Sequence, residues 1–378
     1  MLHAPLPSMV LHANRVRRLV GPMCLRRVSM PHEVVTELKQ VQCLCEPTAN
    51  RRLRVVPSGE IDTLCTAPIR HHLLLPHLYV RTNALMKSLL AFVLYGREMH
   101  VERLTGVLGA RVHVGPLQEL SVDELAELRA LACEHEVIIL PGQSLAPLEQ
   151  VEFSRRLGPA ADSPFIEPSP DHPEVIKVLK EASDGNAFNF GGAWHSDFSF
   201  QSTPPSFTVL HALDIPPYGG DTLWSSMTAA YRALSPQHQE QLAPLSAVHT
   251  ARDAYSPKMQ PLHSGLSSMN IVCDESANNT EIHPLITTHA ETGKKVLFYN
   301  RAYVRDLLGM ADEFEKLRLM DWLHLHTTDA KFTVRHKWSV GDVAIWDNRS
   351  TQHNALNDYA GFRRELHRTT VRGERPVA

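Results

Sequence analysis

Between residues 99 and 378, apolar positions recur with two different periods. Over Ser121–Glu136 they fall at helical spacing (Leu125, Leu128, Leu131), and Ser121 followed by Glu124 forms a capping-box signature ahead of them. Pro147–Leu157 predicts a second helix with proline at its first position. Val101–Val114 has the Gly-punctuated apolar pattern of an opening strand, and Val137–Leu140 is an unbroken apolar run that predicts a buried one. Further on, short β-rich runs dominate: Ser206–Leu213, Asp221–Ser225, Val296–Asn300, Phe332–Trp338, Asp342–Trp346 and Arg364–Val371. Turn signals such as Pro216-Pro217-Tyr218-Gly219-Gly220 separate them, and two helices interrupt, Thr228–Leu242 and Asp312–His326. Many short strands with few, irregularly placed helices predict a mainly β domain with flanking helices, a double-sheet jelly roll rather than a parallel α/β sheet.

Residues 1–98 show neither period. They hold 13 Lys and Arg against 6 Asp and Glu, whereas the remainder holds 25 against 35. Four of the six cysteines (Cys24, Cys43, Cys45, Cys65) also fall there. Cys43-Leu44-Cys45 lacks a partner pair at zinc-finger spacing. No acidic residue precedes Glu33, as in a transit peptide, but no amphipathic Arg/Ser pattern accompanies that bias. Ser88–Tyr95 is too short to span a bilayer. The expectation is a poorly ordered or non-native extension over 1–98, with Met99 opening the functional domain, 99–378. Two isolated thiols in that domain, Cys133 and Cys273, and no secretory signal predict a cytoplasmic location. At 378 residues, 43% hydrophobic and 21% charged, with net charge −3, the chain is ordinary for a globular protein and has no overall pull toward nucleic acid or an anionic membrane. Oligomeric state is left open, a homo-oligomer included.

His195-Ser196-Asp197 is the first candidate for chemistry, because on extended backbone residues i and i+2 face one side. Taken alone such a triplet is usually a surface pair, but here Gly191-Gly192-Ala193-Trp194 and Phe198-Ser199-Phe200 flank it. Far downstream a strand through Trp346-Asp347 ends and presents His353. Two histidines and one carboxylate form the facial set suited to non-heme Fe(II), with zinc hydrolysis as the rival use. A chelating co-substrate separates the two. Arg364 and Arg368, an even number apart, share one strand face and offer guanidinium groups to a carboxylate; Thr222 offers a hydroxyl.

These segments resemble the taurine and 2,4-dichlorophenoxyacetate dioxygenase family of Fe(II)- and 2-oxoglutarate-dependent oxygenases. The matching text is Trp194-His195-Ser196-Asp197, Gly219-Gly220-Asp221-Thr222-Leu223-Trp224, Trp346-Asp347-Asn348-Arg349 on to His353, and Arg364 through Arg368 to Gly373. The resemblance, over about residues 99–376, implies a double-stranded β-helix. It implies that His195, Asp197 and His353 hold iron and that Thr222 and Arg364 bind the distal carboxylate of 2-oxoglutarate. Arg368 would lie near the co-substrate and the anionic group of the substrate. The implied reaction hydroxylates a substrate C–H with dioxygen while 2-oxoglutarate becomes succinate and carbon dioxide; the filled Asp197 position argues against halogenation.

The expected substrate is a small anion: a sulfonate, an alkyl sulfate, or an aryloxy or carboxylic acid. After Arg156-Leu157-Gly158 the chain reads Pro159-Ala160-Ala161-Asp162, without the histidine of taurine enzymes. Asn189 is a further substrate-side candidate, and Phe298 and Trp224 are candidates to line an apolar pocket. His283, His289 and His367 read as structural or as neighbours of ligands, and His211 as part of a buried strand. Two rivals stand beside the oxygenase: a jelly-roll binding protein that turns nothing over, and a zinc hydrolase.

Overall fold

The computed structural model describes residues 41–43, 55–57, 99–184, 189–266 and 268–378. The chain divides into two units, 1–74 and 75–378. In the first, β1 (Val41–Cys43) and β2 (Val55–Pro57) pair antiparallel. The expectation for 1–98 otherwise lies outside the described residues, as does the apolar run Ser88–Tyr95.

The described residues of the second unit open with β3 (His100–Arg103) and β4 (Ala110–His113), an antiparallel hairpin where one strand was expected over Val101–Val114. Helix α1 (Val122–His135) starts at the expected capping box: the Ser121 hydroxyl accepts from the Glu124 N–H at 3.2 Å, and the Glu124 carboxylate accepts from the Ser121 N–H at 2.7 Å. Such a cap contributes about 1 kcal/mol. Next come β5 (Val137–Leu140), α2 (Pro147–Leu157), β6 (Ile176–Lys180), β7 (Phe207–Asp214) and β8 (Thr222–Ser226). The single helix expected over Thr228–Leu242 is two, α3 (Met227–Arg232) and α4 (Pro236–Leu242). Ser235 caps α4 and Pro236 occupies its first turn; a helix interior cannot accept that proline.

Strands β9 (Ser246–Thr250), β10 (Thr280–Pro284), β11 (Ile286–Thr288), β12 (Lys295–Leu297) and β13 (Val304–Leu308) surround two short helices, α5 (Arg252–Tyr255) and α6 (Gln260–His263). Helix α7 (Glu313–Thr327) leads to β14 (Thr333–His336), β15 (Val343–Asp347), β16 (Thr351–Ala355) and β17 (Arg364–Val371). Among the described residues no helix is long and apolar enough to cross a membrane.

Seven strands form one sheet, in the order β3-β4-β5-β15-β7-β17-β6, and β14-β8-β16 form a smaller one. Strand parity assigns each face of the large sheet to a different core. Ile138, Leu140, Val209, Val343 and Ile345 pack under Leu125 and Leu128 of α1 and Phe153 and Leu157 of α2. The alternate residues Val137, Ile139, Leu210, Ala212, Ala344, Trp346 and Leu366 pack instead with Trp224 of β8 and Val334 of β14. Polar residues of that second parity, Thr208, Arg364 and Arg368, are therefore carried into the space between the two sheets. Sheets with helices against them are thus observed as expected.

Candidate active site

His195 lies outside any strand, yet an isolated antiparallel bridge joins it to His353. The His195 N–H donates to the His353 carbonyl at 3.0 Å, and the His353 N–H donates back at 2.7 Å. The sequence placed His353 where a strand ends; it sits instead at the centre of β16, directly opposite Trp224 of β8. Trp346 packs on its ring with centroids 4.7 Å apart. The loop before His195 needs glycine, since a Cβ on Gly192 would stand 2.9 Å from the Asn189 carbonyl oxygen.

The two imidazoles and Asp197 converge. Asp197 Oδ1 lies 3.6 Å from Nε2 of His195 and 4.0 Å from Nε2 of His353, and all three side chains are buried. The Nδ1 of His195 is 2.7 Å from the Ala193 carbonyl; a hydrogen there is donated to that oxygen, which leaves the Nε2 lone pair toward Asp197. The other carboxylate oxygen, Oδ2, accepts from the Thr208 hydroxyl at 2.7 Å. Thr208 in turn accepts from Asn348 Nδ2 at 2.8 Å, while Asn348 Oδ1 receives the Trp346 indole N–H and the Asp197 backbone N–H. The Ser196 hydroxyl donates to the Thr351 carbonyl. After Asp197 the chain turns at Phe198 with φ of 45°, a left-handed conformation costing a non-glycine residue on the order of 1–3 kcal/mol.

Electrostatics hold this group ready for a cation. Burial alone would raise the Asp197 pKa, but Arg368, the His195 hydrogen bond and both histidines outweigh it and keep the carboxyl far below the usual range. Burial, with His195 beside it, pushes the His353 imidazole down to about 3, so the ring is neutral and one of its nitrogens offers a lone pair.

Two buried guanidinium groups lie on the same face of β17. Arg368 Nη1 is 3.3 Å from Asp197 Oδ1, and the rings of Phe190 and Phe198 flank the guanidinium at 5.3 and 5.1 Å. Its Nε and Nη2 are buried without hydrogen-bond partners. Arg364 Nε donates to the Gly220 carbonyl at 3.1 Å, and its Nη2 is buried and unmatched. Burial lowers the Arg364 pKa, partly offset by Tyr359 and Asp221. The Thr222 hydroxyl accepts from the Trp338 indole at 3.0 Å. Asn189 Nδ2 donates to the Ala355 carbonyl, and its Oδ1 accepts from the Tyr359 hydroxyl, both at 3.0 Å. Unfilled buried N–H groups beside three converging metal donors fit a divalent cation with an anionic chelator.

Sequence reading missed Thr208, Asn348 and Tyr359 as partners of this site. Asn348 lay inside a quoted motif, and strand parity pointed Thr208 inward. Phe298 belongs elsewhere: its ring stacks on His249 at 5.4 Å and lines a 230 Å³ cavity with Pro205, Arg349 and Val377. His283 packs edge-on to His249 and bonds the Gln201 carbonyl, and His367 pairs with Glu365, as structural residues do. Cys133, His289 and Asp347 form another buried cluster whose bonds are already used. His289 Nδ1 accepts from the Glu291 and Thr292 N–H groups, and its Nε2 is 2.9 Å from Asp347, which also takes Arg349. Burial raises the Cys133 thiol to about 12, far from a thiolate ligand.

A family model described as taurine catabolism dioxygenase TauD, TfdA family matches residues 100–370. An alkylsulfatase of Acinetobacter baylyi is 33% identical over 281 residues, covering 74% of this chain and 86% of the relative. An alpha-ketoglutarate-dependent sulfate ester dioxygenase of Pseudomonas putida is 32% identical, covering 76% of this chain and 94% of the relative. Among solved structures, a taurine dioxygenase from Burkholderia xenovorans is similar with TM-score 0.62 and 31% identity, over 74% of this chain and 93% of that one.

Proposed function

The chain belongs to the taurine catabolism dioxygenase TauD, TfdA family, and from that premise we propose which of its residues carry the reaction and on what substrate class. It is an Fe(II)- and 2-oxoglutarate-dependent dioxygenase. In our reading residues 99–378 are the catalytic domain, built as a double-stranded β-helix. The supporting pattern is the shared inward parity of Thr208, Trp346, Leu366 and Trp224 between two facing sheets. Cys133 and Cys273, both free thiols, support a reducing, cytoplasmic setting.

His195, Asp197 and His353 would hold iron(II). The carrying observation is the convergence of Nε2, Oδ1 and Nε2 next to the buried Arg368 guanidinium with its unfilled N–H donors, with Arg364 buried on the same strand face. Bound there with 2-oxoglutarate, iron(II) supplies the activation of dioxygen that couples decarboxylation of the keto acid to hydroxylation of a substrate C–H. The protein residues orient and discriminate. Arg364 and Thr222 bind the distal carboxylate; each charge-assisted hydrogen bond contributes about 1.5–3 kcal/mol. Arg368, clamped between Phe190 and Phe198, directs N–H groups toward the anionic ends of co-substrate and substrate. Asn189 ties Tyr359 to the Ala355 carbonyl. The relatives named alkylsulfatase and sulfate ester dioxygenase support a small organic anion as substrate.

The experiment is a panel of sulfonates, alkyl sulfates and aryloxy acids scored by succinate release with and without Fe(II). The wild type releases succinate with at least one anion only when iron and oxygen are present, and Asp197→Ala and His195→Ala release none. Full activity of either variant, or activity that survives without oxygen, overturns the reading.

A further inference from the structure

A second set of two histidines and one carboxylate stands on the edge hairpin of the large sheet. β3 pairs with β4 in a register that sets His100 opposite His113 and Glu102 opposite Arg111. Parity puts these four side chains on one face. Val101 and Val112 take the other, where they pack into the core under α1 and α2. The hairpin is thereby anchored from beneath, and a site on paired strands is held more firmly than one on a loop.

The three donors are already gathered. Glu102 Oε1 lies 3.8 Å from Nδ1 of His100 and 3.8 Å from Nε2 of His113. Arg111 Nη1 lies 3.8 Å from the other oxygen, Oε2, and so turns Oε1 toward the imidazoles. The ligand atoms all lie within 4.8 Å of one another, as those of the buried triad do, where the matching distances are 3.6 and 4.0 Å. Around a tetrahedral ion with bonds of ~2.0–2.1 Å, donors stand about 3.4 Å apart. Closing the two Glu102 distances from 3.8 Å requires a shift of a few tenths of an ångström, and the two imidazole donors, which lie within 4.8 Å of each other, approach by about 1.4 Å at most through side-chain rotation. The side chains are 36%, 46% and 25% exposed for His100, Glu102 and His113, which leaves room for that shift.

We propose that His100, Glu102 and His113 bind a divalent transition-metal ion of the zinc, cobalt and nickel class, with water in the remaining position. Two imidazoles exclude calcium and magnesium, which take oxygen donors. The site is separate from the iron triad and needs nothing from the reaction proposed above.

The full chain is titrated with Co(II), then Zn(II), by calorimetry, beside His113→Ala, Glu102→Gln, Asp197→Ala and the His113→Ala/Asp197→Ala double variant. His113→Ala and Glu102→Gln are expected each to lose one equivalent, or at least tenfold in affinity for it, while retaining iron-dependent succinate release. Asp197→Ala loses a different equivalent, and the double variant loses both. Zinc should also shield His100 and His113 from carbethoxylation, mapped by mass spectrometry. If Glu102→Gln and His113→Ala bind as many equivalents as the wild type with equal affinity, the cluster is only a cross-strand ion pair. Should His113→Ala fail to fold, Glu102→Gln decides alone. A change in Asp197→Ala alone would likewise leave the iron site and overturn this one.

Discussion

The Thr208 hydroxyl donates to Oδ2 of Asp197, which leaves Oδ1 as the carboxylate oxygen turned toward the Nε2 atoms of His195 and His353. Thr208 thus decides which oxygen is free to ligate. Removing such an oriented partner generally costs 10–100-fold in metal affinity. Thr208→Val keeps the side-chain shape and removes the donor, so iron affinity should fall by about that factor. Thr208→Ser should restore most of it. An iron titration of turnover, read beside the thermal midpoint, checks this; equal iron requirements for Val and Ser variants would remove Thr208 from the site.

Arg364 is the co-substrate's distal anchor in our reading, with an unfilled Nη2 aimed into buried space. Losing a charge-assisted pair at about 1.5–3 kcal/mol corresponds to roughly 10–150-fold in affinity. Arg364→Ala should raise the 2-oxoglutarate concentration for half-maximal rate by that factor. Arg364→Lys, which keeps the charge but not the planar fork, should fall between. The measurement is succinate release against 2-oxoglutarate at saturating iron, and an unchanged requirement in Arg364→Ala refutes the assignment.

Gly220 makes that anchor possible. Its φ is +69°, and an added Cβ would meet Arg364 Cδ at 3.0 Å. Gly220→Ala therefore strains the backbone by about 1–2 kcal/mol and crowds the guanidinium stem. A lowered melting midpoint together with a raised 2-oxoglutarate requirement is expected. If stability drops and the requirement does not move, Arg364 is held by other contacts.

Local pattern made the helices, the apolar strands and the donor types legible. Ser121 and Glu124 announced α1, and the even spacing of Arg364 and Arg368 gave their common face. What the pattern hid was non-local pairing. β16 reads Thr-Gln-His-Asn-Ala, without apolar alternation, because its partners are Trp224, the His195 loop and buried polar groups rather than one apolar face. β6, β9, β10, β11 and β13 were missed too; on β9 and β10 buried His249 and His283 occupy places where an apolar residue would have marked a strand. The break between α3 and α4 was legible, since Ser235-Pro236 is a helix start. Phe298 follows the end of β12, and residue type alone does not say which way its ring points.

Glu136 gives a pH dependence with a definite sign. It ends α1 in a left-handed conformation, φ of 65°, and is buried. Burial raises its pKa to about 7, against hydrogen bonds from Ser226 and Thr228 that pull it down. Unfolded, the same carboxyl titrates near 4.5. Between these values the folded state holds a proton that the unfolded state releases. Stability is therefore fully present below about 4.5, falls as pH rises, and the loss levels off above about 7 at ~3 kcal/mol. Glu136→Gln cannot ionise. Its stability relative to wild type should be flat below pH 4.5 and grow to about 3 kcal/mol by pH 8. Denaturant midpoints of both proteins from pH 4 to 8 measure the difference; a gap that does not widen with pH would mean that Glu136 is already ionised in the fold.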